Sequence, residues 1–215
     1  MNAMLSITSP LPAILDQPAS ARPGRRHFIE NYCLTMRDVD RFNVLLFRLG
    51  RRDAPLDRDQ VVTAARELCD SNSLAVEPPS IRERMRRVET AALMINDPDW
   101  DGANDAIDAA RLVIDYARGS DDLIPDWVPA VGRLDDAIVV ETAWPRLALE
   151  IDRYLDFCRL RDMAVGVRAT SASSVHFMRA DWERELREEA ALVAHQKQVR
   201  EHSYLPPNAS LFRVH

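Results

Sequence analysis

The sequence predicts an all-α protein, a compact bundle of five or six helices with a Pro/Asp-rich loop between two of them. Apolar residues recur at three- and four-residue steps along most of the 215 residues, the spacing of one helix face. No strand-like alternation persists, and only six glycines interrupt the chain. There is no internal repeat.

Residues 1–26 hold Pro10, Pro12, Pro18, Pro23 and Gly24 among small residues, and so predict a disordered or extended arm outside the core. A single helical domain is expected over 27–205, followed by a tail at 206–215. Its first helix is predicted from about His27 to Leu49 by Phe28, Tyr32, Met36, Val39, Phe42, Leu46 and Leu49, with Gly50 as its stop. Asp57 is placed to cap a second helix carrying Val61, Ala64, Ala65 and Leu68, which the polar residues 71–73 end. Ser80 and Glu83 form an S-x-x-E capping box for a third, about 80–95. A fourth spans about 103–118 and stops at Gly119. Asp135 or Asp136 caps a fifth, which runs to about 163 and is expected to bend at Pro145. The last helix, about 177–202, carries Met178, Trp182, Leu186, Ala190 and Val193 on one stripe.

The net charge of -6 gives no basic excess for nucleic acid, so no nucleic-acid partner is expected. No apolar stretch reaches the roughly 20 residues of a spanning helix, and residues 1–15 lack the basic start of an export signal. Cys33, Cys69 and Cys158 are odd in number and include no C-x-x-C pair, which fits a reducing cytoplasm. The expected protein is soluble and cytoplasmic, with no integral membrane segment.

The distinctive stretch is SDDLIPDWVPAVGRLDDAIVV, Ser120 to Val140, in which five aspartates fall among Pro125, Pro129 and Gly132. Asp122, Ile124, Pro125, Asp126, Pro129, Gly132, Asp135 and Asp136 reproduce without a gap the pattern D-x-I-P-D-x-x-P-x-x-G-x-x-D-D. Here the chain resembles the YkvA-like family, bacterial proteins classed as a domain of unknown function whose hallmark is this loop between two helices. The likeness covers about residues 93–155 and takes in Asp97, Pro98, Tyr116, Tyr154 and Leu155. The flanking helices depart from the family's apolar character through Asp105, Asp108, Arg111, Asp115, Glu141, Arg146 and Glu150, which weakens the peripheral membrane association that relatives would imply.

Asp122, Asp126, Asp135 and Asp136 suit a hard divalent cation such as Mg²⁺, which takes oxygen ligands and would activate water for phosphate-ester hydrolysis. The competing reading has Asp135 and Asp136 serving the following helix, Asp122 and Asp126 closing turns, and the prolines stiffening the loop. It is favoured because the cluster contains no histidine and no nucleophile beside a base. A second acidic run places Asp97, Asp99, Asp101, Gly102 and Asp108 at positions 1, 3, 5, 6 and 12 of a calcium loop. Asn104 at the apolar position and the short Asp108 favour a polar turn instead. RERMRR at 82–87 reads as a solvated helix face, and the four tryptophans as core or loop anchors. No cofactor is expected, and no residue commits to a metal. The leading expectation is a non-catalytic interaction or regulatory protein whose partner is a protein. A metal-dependent hydrolase is the runner-up, and nothing in the sequence sets an oligomeric state.

Overall fold

The computed structural model describes residues 9–18, 26–52, 54–71, 76–168 and 176–202. The fold is all-α, with six helices and one two-stranded hairpin among these residues. The chain divides into two compact units, Met1–Asp156 and Phe157–His215, and not into the single domain expected over 27–205. The expected tail at 206–215 lies outside the described residues, as do positions 1–8 and 19–25 of the expected arm, positions 72 and 73 of the expected break after the second helix and positions 203–205 of the expected domain.

The expected free arm does not hold for the residues described at the start of the first unit. Residues 9–18 are part of the packed unit: Ala13–Asp16 form one 3-10 turn, and Leu15 is buried. A second correction concerns Phe28 and Tyr32, which belong to a hairpin of β1 (Phe28–Ile29) and β2 (Tyr32–Cys33). Their i,i+4 spacing mimics a helix face. Glu30 turns the chain at φ 49°, Ile29 and Leu34 are buried, and helix α1 (Met36–Leu49) starts only after them. Its start is set by Thr35, whose hydroxyl accepts the Asp38 N–H at 3.2 Å and donates to the Asp38 carboxylate. Gly50 ends it at φ 117°, a left-handed position that a side chain would strain.

Helix α2 (Arg58–Ser71) opens on a reciprocal pair. The Gln60 N–H donates to Asp57 Oδ1 at 2.7 Å, and the Asp57 N–H donates to Gln60 Oε1 at 2.8 Å. The expected box at Ser80 and Glu83 does not form. Helix α3 (Pro79–Asn96) starts on Pro78 and Pro79, which need no N–H partner, and Glu83 instead accepts the Ser9 N–H at 3.1 Å. Nor is RERMRR a solvated face: Arg84 and Arg87 turn inward while Arg82 and Arg86 face solvent. Arg84 Nε meets Glu141 at 2.9 Å, and the Arg87 guanidinium lies 3.4 Å from the centre of the Trp144 ring. Burial lowers the pKa of Arg87 to about 10 against the opposing pull of Glu141.

Helix α4 (Asn104–Ala117) packs on α3. Its N-terminus is served by Glu150, which accepts the Ala103 N–H at 3.1 Å. The long helix α5 (Leu134–Arg168) passes through Pro145 without ending. Seven successive residues, Leu134 to Val140, are buried, so its start is enclosed by the unit. Arg146 holds α5 to both neighbours, donating to the Arg48 carbonyl at 3.1 Å and pairing with Asp105. In the second unit Phe157 stacks on Phe177 at 5.6 Å, and helix α6 (Arg179–His202) buries Trp182. From Glu183 onward α6 is exposed, so Leu186, Ala190 and Val193 do not form a covered stripe. No helix among the described residues is long and apolar enough to cross a membrane.

Candidate functional site

The motif loop joins α4 to α5 as a series of short turns. The Val128 N–H donates to the Pro125 carbonyl at 2.9 Å, and the Gly132 N–H donates to the Val128 carbonyl at 2.9 Å. Leu123, Ile124, Val128 and Val131 point inward and are buried. Gly132 is required by close approach: a Cβ there would lie 2.6 Å from the Asp126 carbonyl oxygen and 2.8 Å from that of Pro125. The motif's Pro, Asp and Gly are thereby tied in one backbone contact.

Asp135 does not cap its own helix. It reaches back across the loop, where Oδ2 accepts the Leu123 N–H at 2.8 Å, the Ile124 N–H at 3.1 Å and the Tyr116 hydroxyl at 2.7 Å. One carboxylate thus fastens α4, the loop and α5 with 1% exposure. Burial raises its pKa to about 6, held down from a larger rise by Tyr116 and the two backbone donors. Burial, then the neighbouring Asp135 charge, pushes the Tyr116 hydroxyl upward, so it remains the donor. Tyr116 fell within the sequence likeness, but its role in holding an aspartate 19 positions away had no local signal. Tyr154 makes a comparable tie, donating to Asp97 Oδ2 at 3.1 Å.

The other motif aspartates have different fates. Asp136 is buried beside Arg133, whose Nε lies 3.7 Å from Oδ2, and Oδ1 has no hydrogen-bond partner. Burial and the Asp135 charge raise its pKa to about 8. Asp122 is half-buried, its carboxyl raised by burial and by Asp126, while Asp126 is exposed. The four are near enough to repel one another, yet no three His, Cys, Asp or Glu side chains among the described residues group as metal ligands. In the second acidic run, Asp97 Oδ1 accepts the Asp99 N–H at 3.1 Å, and Asp108 pairs with Arg111 at 3.7 Å within the exposed face of α4. Asp101 is exposed. Asp97, Asp99, Asp101 and Asp108 therefore form a turn and a helix surface.

A cavity of about 160 Å³ lies beside the loop, lined by Asp38, Arg41, Phe42, Tyr116, Asp122 and Leu123 among others. It falls short of the roughly 300 to 1,000 Å³ of small-molecule sites. On the outer surface Trp127 is 67% exposed and meets Tyr32 edge-on at 6.1 Å, so it is the one tryptophan that is not a buried or half-buried anchor. No family model, curated protein or solved structure matches the chain.

The protonation of Asp136 has a measurable sign. In the unfolded chain its carboxyl ionises above about pH 4, whereas in the fold it keeps its proton up to about pH 8. The folded state then binds more protons, so stability falls as pH rises through this window and levels off beyond it. Between pH 6 and 8 the native protein is expected to lose about 1 to 2 kcal/mol, read by urea unfolding at each pH. Asp136→Asn should remove that slope and be the more stable protein at pH 8. A flat native profile, or a variant weaker at pH 8, contradicts the assignment.

Proposed function

We propose that this chain is a non-catalytic cytoplasmic protein that acts through protein contacts, with a motif loop of the YkvA-like kind as its central scaffold. The observation that carries the reading is the division of labour in that loop. Asp135 and Gly132 brace it from within, while Trp127 stands outward on the rigid frame. A fixed, exposed tryptophan offers a large apolar contact at little entropic cost, as at the energetic centres of protein interfaces. The free thiols of Cys33, Cys69 and Cys158 fit a reducing compartment. The hydrolase alternative requires Asp122, Asp126, Asp135 and Asp136 to surround one ion, and the inward turn of Asp135 with the exposure of Asp126 speaks against it.

Trp127→Ala is expected to leave the melting temperature within about 2 °C, since exposed substitutions change stability by roughly 0.5 kcal/mol or less. Proteins retained by the tagged native chain should be lost from this variant. Retention of the same proteins by both would remove Trp127 from the proposal.

A further inference from the structure

Residues 9–17 are held in a way that resembles the capture of a ligand. The buried Gln60 amide donates both its N–H groups to this segment, to the Ile14 carbonyl at 3.1 Å and the Gln17 carbonyl at 2.7 Å. Arg51 Nη2 donates to the Leu15 carbonyl at 2.8 Å, and the buried Arg84 donates through Nη1 to the Ser9 carbonyl at 3.2 Å. Glu83 accepts the Ser9 N–H at 3.1 Å. In these hydrogen bonds the segment contributes backbone atoms alone, and the groups that meet them are side chains of the helical core or of the turn after α1. Leu15 is the one side chain of the segment that is fully buried.

Recognition of this form reads a shape, a single turn at Ala13–Asp16 that carries the buried Leu15 between Pro12 and Pro18, and contains nothing that distinguishes a segment attached to the same chain from an identical one supplied from outside. The geometry points to a peptide-docking groove at Arg51, Gln60, Glu83 and Arg84, filled in cis by residues 9–17 and open to the same segment of a second copy. None of these groups belongs to the motif loop, so the inference stands apart from the function proposed for that loop. Attachment gives the cis segment an effective concentration near the millimolar range, so a segment in trans gains entry when the resident one is weakened.

The test uses the full chain carrying Leu15→Asp and a labelled peptide of residues 9–18, which represents the second copy's segment. Saturable one-to-one binding by fluorescence anisotropy is expected, at least about tenfold tighter than to the native chain, whose own segment competes. The same peptide with Leu15→Asp should not bind, and Arg51→Met in the receiving chain should weaken binding about tenfold. Should the Leu15→Asp chain fail to melt cooperatively, Leu15→Ala serves as the receiver with the same expectation. Absence of binding to a folded receiver, or equal binding of the native and Leu15→Asp peptides, overturns the proposal.

Discussion

Asp135→Ala is expected to destabilise the protein by roughly 3 kcal/mol or more, because it strands two buried donors and removes the charged acceptor from a third, and each unpaired group costs about 1 to 3 kcal/mol. The stranded groups are the Ile124 N–H and the Tyr116 hydroxyl, while the Leu123 N–H keeps the Tyr116 oxygen at 3.0 Å as its second acceptor. For a chain of this length the melting temperature should fall by about 6 to 12 °C. Asp135→Asn keeps one acceptor oxygen and should lose less. An ordinary helix cap would lose only about 0.5 to 2 kcal/mol and would be restored by asparagine, so a small, fully rescued loss would return Asp135 to the capping role the sequence suggested. Tyr116→Phe in the Asp135→Ala background should add a further loss, since the Tyr116 oxygen is then the acceptor left to the Leu123 N–H at 3.0 Å.

The second large effect concerns the N-terminal segment. Removing residues 1–18 is expected to cost about 3 kcal/mol or more, from the burial of Leu15 at roughly 1.5 to 3 kcal/mol and from hydrogen bonds to Gln60 and Arg84 at about 0.5 to 1.5 kcal/mol each. Gln60 and Arg84 are 4% and 2% exposed with the segment in place, and its removal hands their donors to water, so each hydrogen bond counts only at its net value. A fall in melting temperature of about 6 to 12 °C should follow. An unchanged melting curve would mean that the segment is loosely attached, as its prolines alone suggest.

Particular residues show how far the sequence could be read. Helices α2, α4 and the start of α5 follow the periodic apolar residues closely, and Gly50 ends α1 because its left-handed conformation is a local property. The hairpin at Phe28–Cys33 was hidden because a turn of four residues returns Phe28 and Tyr32 at helical spacing. The Ser80–Glu83 box failed because Pro78 and Pro79 already set the start of α3 and Glu83 is engaged by Ser9, 74 positions away. The four-residue turn of the arm looked unstructured because its partners, Arg51, Gln60 and Arg84, lie far along the chain.

The same limit governs the motif loop. An aspartate at the start of a helix carries one sequence signature whether it caps that helix, ligates an ion or accepts donors from the preceding loop. Asp135 does the last, through partners 11 to 19 positions upstream. Asp136, adjacent in sequence, instead holds a proton beside Arg133, a difference that arises only from packing. Gly132 was legible as part of a pattern, while its cause, the backbone of Pro125 and Asp126 against it, was not.

Asp135 fastens the motif loop to its two helices, and the function proposed for the loop requires that its aspartates bind no metal. The direct measurement is the melting curve of the native chain at pH 7 in chelator and in millimolar Mg²⁺ or Mn²⁺. An ion that bound the folded state alone would raise stability by RT ln(1 + [L]/Kd), about 2.7 kcal/mol at a hundredfold excess over Kd. The structural role of Asp135 predicts superimposed curves for the native chain and no added effect of the ions on Asp135→Asn. A rise of several degrees in Mn²⁺ that Asp135→Asn abolishes would contradict it and favour the hydrolase.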